Sequence, residues 1–285
     1  MTASAGLIVV ADLGGSNLDL LLADAGGSII RTAVRRMRRP LPSEPTQTLI
    51  EIALPPLGIA RDQAGLLVVT GGRHRALPDA IDGIPLCHVD ELTAIALGGL
   101  VAGGVDHALV VSMGTGTAMV STDGTQHRHT IGLALGGGTL LGLAYRLLGT
   151  ADPLRIAALA DSGRSAGASL TIADVIGTGV GELPGDAPAA YLARLAGDRF
   201  EAVAVADIAA ALLVMIGQVT GHLAWLTARA VGQDRIVLIG HMADFPILTA
   251  AASAFGRSLP GGCIVPEAPG TAVARGALAS VLGRP

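Results

Sequence analysis

Short apolar runs alternate with longer, mostly apolar segments along the whole chain. The short runs are rich in Val, Ile and Leu and end at Gly or Asp-Gly, which is typical of strands. They predict strands over residues 7–11, 18–23, 66–70, 84–89, 108–111, 118–121, 235–239 and 263–265. The longer segments predict helices over residues 47–59, 90–101, 140–148, 155–160, 202–231, 246–255 and 270–282. This alternation predicts an α/β protein with a mixed sheet flanked by helices.

One predicted helix, residues 202–231, has an apolar middle that approaches the length needed to cross a membrane. It also contains Asp207 and His222, which would be costly in lipid. We therefore expect a buried helix that partly packs against its mate in a homodimer, and no membrane span. Gly217 and Gly221 are four residues apart and would allow another helix to approach closely.

Composition narrows the class of function. The 285 residues can bury a large core in one or two domains. A net charge of −4 and 2% aromatic residues argue against a nucleic-acid surface. Cys87 and Cys263 are too few for a disulfide framework, and the N-terminus lacks a signal-peptide pattern, so we expect a cytoplasmic protein.

Two glycine-rich turns are candidates for an anion-binding site. The first glycine turn, residues 12–17, joins two predicted strands and has the sequence Asp-Leu-Gly-Gly-Ser-Asn. The second glycine turn, residues 114–117, joins another strand pair, and a run of three glycines at residues 136–138 then opens a helix. Facing each other across a cleft, such turns would hold a nucleoside triphosphate by backbone amides. The alternative is that these junctions are tight and need small residues only.

The first turn matches neither the P-loop nor the dinucleotide-binding pattern. It resembles the first phosphate loop of the actin-like sugar-kinase and ATPase superfamily, and the second turn resembles the second phosphate loop. Seven motifs in order resemble type II pantothenate kinases: VADLGGSN near the start, VTGGR at 69–73, VDELTAIALGGL at 89–100, SMGTGTAMV at 112–120, GLALGGGTLLGL at 132–143, RIVLIGH at 235–241 and GTAVARGAL at 270–278.

The resemblance implies a fold of two actin-like (ribonuclease-H-like) domains, residues 1–95 and 96–285, with a nucleotide cleft between them. It implies transfer of the ATP γ-phosphate to pantothenate, with Mg²⁺ accompanying ATP and an acyl-CoA as a feedback ligand. Glu91 would be the catalytic base, and Asp12 would hold Mg²⁺ through water. The remaining implied site residues are Gly14, Gly15, Ser16, Asp19, Gly114, Thr115, Gly116, Gly136, Gly137, Gly138 and Gly240 for ATP, and Thr115, Arg128 and His129 for pantothenate.

Simpler roles compete with two of these assignments. Glu91 can instead be a carboxylate that complements a helix N-terminus, and Asp12 can be a turn-forming residue before glycines.

The chain departs from the family pattern at two positions. Asp19 stands where the family has a lysine, and His129 stands where the family has an arginine. We expect Asp19 to face the γ-phosphate or its metal, so that ATP binds only with a divalent ion. Otherwise Arg73 or Arg128 would replace the lysine. Three hypotheses follow: a pantothenate kinase with altered charges, a kinase for another small hydroxylated substrate, and a catalytically weak ATP- or acyl-CoA-binding sensor.

Overall fold

Two β-sheets organise the computed structural model of the protein, which describes residues 6–37, 46–181, 184–197 and 203–283. The first sheet consists of β1 (Leu7–Leu13), β2 (Asn17–Ala23), β3 (Ile29–Arg36), β4 (Ala64–Thr70), β5 (Ala80–Ile81) and β6 (Ile84–His88). Its strand order is β3-β2-β1-β4-β6-β5. The second sheet consists of β7 (Ala108–Met113), β8 (Thr117–Thr122), β9 (His127–Leu133), β12 (Arg235–Ile239) and β13 (Gly262–Ile264), with β10 (Leu170–Thr171) and β11 (Pro188–Ala190) forming a separate ribbon.

The two sheets repeat one topology. In each, three consecutive strands pair antiparallel as a meander, and two later strands are added parallel beside the first strand of the meander. The order β9-β8-β7-β12-β13 thus matches the order β3-β2-β1-β4-β6. Consequently, the two glycine turns occupy equivalent places, each in the first hairpin of its sheet.

Helices cover both faces of each sheet. They are α1 (Thr46–Leu57), α2 (Glu91–Gly103), α3 (Gly137–Leu148), α4 (Pro153–Asp161), α5 (Ser165–Ala168), α6 (Ile172–Ile176), α7 (Val205–Val231), α8 (Pro246–Gly256) and α9 (Ala272–Val281). Helix α1 covers the outer face of the first sheet, and α3, α7 and α8 cover the outer face of the second. Between the sheets lie α2, which contacts the second sheet, and α9, which contacts the first.

Helices α2 and α9 cross with their backbones in contact. A Cβ added to Gly98 of α2 would lie 2.3 Å from the carbonyl oxygen of Ala272, and one added to Gly276 would lie 2.0 Å from that of Ala94. Side chains at these two glycines would therefore force the helices apart. Since each helix also packs on a different sheet, this crossing joins the two halves of the molecule.

The long apolar segment is helix α7, as predicted. It is long and apolar enough to cross a membrane, but much of it is buried inside the protein. Cβ atoms at Gly217 and Gly221 would each lie 2.4 Å from a carbonyl oxygen of α8, so these glycines admit a helix of the same chain. The homodimer remains a prediction.

The predicted elements are present, whereas strands β3, β5, β9, β10 and β11 and the short helices α5 and α6 were not predicted. The basic cluster of residues 35–39, which precedes Pro40, predicts an exposed loop, but residues 35 and 36 end β3 instead, while residues 38 and 39 lie outside the described residues. Strand β9 begins with His127, Arg128 and His129. The predicted domain boundary between residues 95 and 96 falls within α2.

Candidate active site

The two glycine turns touch each other across the cleft between the sheets. The hydroxyl oxygens of Ser16 and Thr115 are 2.8 Å apart and share a hydrogen bond. A Cβ at Gly15 would lie 2.9 Å from the Thr115 hydroxyl oxygen, so a larger residue at this position would require the Thr115 side chain to move. The residues predicted to bind phosphate from both turns therefore do meet at one place.

Several amides in these turns point to an anion site. Within the described parts of the chain, the backbone N–H groups of Gly15, Ser16, Thr115 and Gly116 donate no hydrogen bond. The Gly114 amide instead donates to the carbonyl of Gly116, at 2.9 Å, and so shapes the second turn. Unpaired amides from two facing loops form the kind of concave donor set that binds phosphate oxygens.

The triple glycine braces the second turn. The amides of Gly137 and Gly138 donate to the carbonyls of Gly114 and Thr115, at 2.8 and 2.9 Å. A Cβ at Gly136 would lie 2.8 Å from the Thr115 carbonyl oxygen. The turn therefore already uses these two amides, and the contact of the triple glycine with ATP stays a prediction.

A glycine at the end of a neighbouring strand packs against the backbone of each turn. Gly71 follows β4 with φ +90°, and Gly240 follows β12 with φ +88°. A Cβ at Gly71 would lie 2.7 Å from the Leu13 carbonyl oxygen, and one at Gly240 would lie 2.6 Å from that of Met113. Both positions need glycine for backbone conformation and for space. Gly240 thus supports the second turn through its backbone.

Two carboxylates face each other beside the first turn. Asp12 on β1 pairs directly with Asp19 on β2, and only 9% and 5% of their surfaces are exposed. Burial raises the pKa of Asp12 to about 7, and the negative charges of Asp19 and Glu91 add to this, while His241 acts in the opposite direction. Asp12 is therefore buried away from water and close to two other carboxylates.

The donor set beside Asp12 fits a hard divalent cation. Carboxylate oxygens are the ligands that Mg²⁺ prefers, and a cation there would relieve the crowding of Asp12, Asp19 and Glu91. The hydroxyl of Thr70, fully buried on the neighbouring strand in register with Asp12, has no hydrogen-bond partner among the described residues. A cation that retains part of its water shell would also serve this hydroxyl.

Asp19 binds a residue that sequence reasoning missed. Its Oδ1 lies 2.7 Å from Nε2 of His241, and Nδ1 of His241 lies 3.0 Å from Oδ2 of Asp244. Burial opposes a charge on His241, but the hydrogen bonds and charges of these two carboxylates raise its pKa to about 10. An imidazolium therefore neutralises Asp19. His241 comes directly after the strand-end Gly240, and that position was the one available sequence signal.

Glu91 opens α2 at the edge of the cleft. The N-cap of this helix is Asp90, whose Oδ1 accepts from the Leu92 amide at 3.0 Å. Glu91 itself accepts no hydrogen bond within the described residues, so its carboxylate is not used for capping. Although the residue is exposed, the protein around the cleft partly desolvates the carboxylate. This desolvation, together with the charge of Asp90, raises the pKa of Glu91, which suits a base.

A β-bulge decides between Arg128 and His129. Val120 of β8 pairs with His129, whereas Met119 pairs with Ile131, so Thr130 is the extra residue. The bulge brings His129 onto the face that Val120 shares with α2, and a Cβ at Gly132 would lie 3.6 Å from Nε2 of His129. Arg128 is on the opposite face. The structure therefore places His129, and not Arg128, on the side of the sheet where α2 packs.

Comparisons with known proteins agree on one family. The family model described as Fumble matches residues 107–252. Pantothenate kinase 1 of rice, Oryza sativa subsp. japonica, is 33% identical over 137 residues, a match that covers 46% of this chain but only 20% of the rice protein. A type II pantothenate kinase of Staphylococcus aureus is 26% identical over 223 residues, covering 76% of this chain and 82% of that protein.

Solved structures confirm the fold prediction. An activator of 2-hydroxyisocaproyl-CoA dehydratase from Clostridium difficile, with bound ADPNP, has a TM-score of 0.68 at 16% identity, covering 97% of this chain and 94% of that one. A ROK family glucokinase from Streptomyces griseus has a TM-score of 0.57 at 16% identity, covering 96% and 98%. At such identities the likeness shows the fold alone, which is the actin-like fold of two domains.

Proposed function

Because this chain belongs to the Fumble family, we propose that it is a kinase that transfers the γ-phosphate of ATP to the primary hydroxyl of pantothenate. One observation carries the proposal: Glu91, whose carboxylate has no capping role, opens α2 beside two turns whose unpaired amides face each other. A phosphoryl acceptor needs such a base, and the transferred group needs such donors. The homodimer, the acyl-CoA feedback ligand and the cytoplasmic location remain predictions.

Each part of the site has a role in this reaction. Amides of the two turns would bind the phosphate oxygens, which displaces the bond between Ser16 and Thr115. Glu91 would take the proton of the attacking hydroxyl, and His129 would hydrogen-bond the pantothenate carboxylate. Asp12 would hold Mg²⁺ through water, and the cation supplies charge neutralisation for the phosphoryl group.

The test is a coupled assay of ADP release, with and without pantothenate. We expect Mg²⁺-dependent ADP release that rises with pantothenate and saturates. ADP release that responds to other small alcohols but not to pantothenate would contradict pantothenate as the acceptor but would still support a kinase. Tight ATP binding without any turnover would contradict both and support a sensor.

A kinase for another hydroxylated substrate is the second candidate, and His129 favours it. A histidine is shorter than an arginine and lacks its two-pronged donor geometry, so it would bind a carboxylate less tightly. By contrast, the case for a sensor rested on Asp19 as an uncompensated anion in the phosphate site. The hydrogen bond from His241 to Asp19 weakens that case.

The raised pKa of Asp12 leads to a pH prediction. Asp12 is protonated below about pH 7 and must ionise to hold a cation. Protons should therefore compete with Mg²⁺ as the pH falls, and half-maximal ATP binding at pH 6 should need about tenfold more Mg²⁺ than at pH 8. Fluorescence titration of a labelled ATP at both pH values measures this. Asp12→Asn is the control, because its remaining pH effect comes from the nucleotide itself, and an equal pH effect in both proteins would contradict the prediction.

A further inference from the structure

The pair between Asp19 and His241 joins the two halves of the molecule at the phosphate cleft. Asp19 is on β2, two residues after the end of the first glycine turn, whereas His241 follows the glycine that supports the second turn. The Cβ of a residue at Gly137 would lie 3.5 Å from the sulfur of Met242, so this segment also borders the start of α3. His241 therefore lies close to both glycine turns.

Hydrogen-bond geometry together with two ionised carboxylates defines the charge of His241. Both ring nitrogens have carboxylate oxygens within 3.0 Å, and an ionised carboxylate can only accept. Each nitrogen therefore has to be a donor, which makes the ring an imidazolium. The arrangement also constrains its neighbour, because a Cβ at Gly270 would lie 2.6 Å from Nδ1 of His241 and 2.9 Å from Oδ2 of Asp244.

We propose that His241 is a phosphate-binding residue, and that its bond to Asp19 is exchanged when a triphosphate enters together with a divalent cation. Asp19 then interacts with the cation, and Nε2–H of His241 donates to a phosphate oxygen. Asp244 keeps the ring in place through Nδ1. The inference rests on the proposed use of ATP, and it adds a cationic donor to the amides of the two turns.

The exchange explains how an anionic site accepts an anionic ligand. Asp19 is almost fully buried, and His241 is its one cationic partner among the described residues. A buried carboxylate that loses such a partner is strongly unfavourable. Metal-free ATP could recruit His241 only by taking it from Asp19. The cation alone would occupy Asp19 and leave Nε2–H of His241 without the carboxylate oxygen that accepts from it here. The complete cation–triphosphate pair replaces both partners at once, so the charges remain balanced.

A second histidine provides a matched control. Nδ1 of His107 lies 2.6 Å from Asp106, and its Nε2 lies 3.0 Å from Oδ1 of Asp234. This is the same arrangement of one imidazole between two carboxylates. It involves the residues that precede β7 and β12, at the edge of the second sheet opposite the glycine turns. Asp234 is more exposed than Asp19 and also accepts from the Arg235 guanidinium, but Asp234→Asn likewise removes one of two carboxylates that bind a histidine, away from the cleft.

The experiment is calorimetric titration of ATP, in EDTA and in excess Mg²⁺, into wild type and three variants. In Asp19→Asn, His241 is released from its buried partner, so metal-free ATP should bind about tenfold more tightly, the size of one charged hydrogen bond. In His241→Gln, ATP with Mg²⁺ should bind about tenfold more weakly. Asp234→Asn should match wild type in both conditions.

The outcomes separate this inference from the proposed function. Asp19→Asn with unchanged metal-free affinity, or His241→Gln with unchanged affinity in Mg²⁺, overturns the exchange even if pantothenate is phosphorylated. If the ATP affinities change as expected but the protein does not phosphorylate pantothenate, the exchange is supported and pantothenate is contradicted as the acceptor. A wild type that binds no ATP in either condition overturns both. If His241→Gln does not fold, Asp19→Asn alone decides, because its amide keeps the shape of the carboxylate.

Discussion

Glu91→Gln is expected to lower the pantothenate-dependent turnover number by about 100-fold or more. The amide keeps the shape and position of the side chain but cannot accept the proton of the attacking hydroxyl. Because Asp90 caps α2, the helix start should be unaffected, and the affinity for ATP with Mg²⁺ should stay close to that of wild type. Steady-state ADP release and calorimetric titration measure the two quantities.

Glu51→Gln is the matched control, since Glu51 is an exposed glutamate on helix α1, which covers the outer face of the first sheet. Its turnover number should equal that of wild type. If Glu91→Gln retains more than about a third of the wild-type turnover, a general-base contribution of the usual size is absent. Glu91 would then only complement the helix N-terminus.

Gly276→Ala is expected to reduce the free energy of unfolding by about 3 kcal/mol or more. The added methyl group would lie 2.0 Å from the Ala94 carbonyl oxygen and 2.3 Å from the Gly98 nitrogen, both of them backbone atoms of α2. Neither helix can yield easily, because each packs on a sheet on its other side. Urea unfolding followed by circular dichroism measures the loss.

Gly142→Ala is the control for the same substitution. Gly142 is an exposed residue within α3, and a Cβ there meets nothing within 4 Å. Alanine should stabilise this helix by about 0.5–1 kcal/mol. Equal unfolding midpoints for the two variants would show that the α2–α9 crossing is not as tight as its backbone distances indicate.

Most of the strands predicted from sequence have a buried face. Strand β1 is almost entirely buried and reads as one apolar run, and the same holds for β7 and β12. Strand β3 was missed because it is an edge strand in which every residue but one is exposed, so arginines occupy it. Strand β9, an edge strand of the second sheet, was missed because it begins with three polar residues and does not read as an apolar run.

The site was predictable where its residues are close in sequence. Each glycine turn is a local pattern, and both turns are found together in the structure. His241 could not be assigned in this way, because it is 222 residues from its partner Asp19 and only the shared topology of the two sheets brings them together. The side of the sheet on which His129 lies depends on a bulge at Thr130, which no residue pattern marks.

Helix α2 follows the strands of the first sheet but packs on the second, and α9 follows the strands of the second sheet but packs on the first. This arrangement also constrains how the chain folds as it is synthesised. The strands of the first sheet all lie within residues 7–88, but the inner face of this sheet is covered by α9, residues 272–281. Ile8, Val10 and Leu21 therefore have no helix to pack against until nearly the whole chain has been made. During that time the nascent first half exposes an apolar sheet face, which is the kind of surface that chaperones bind and that aggregates when left uncovered.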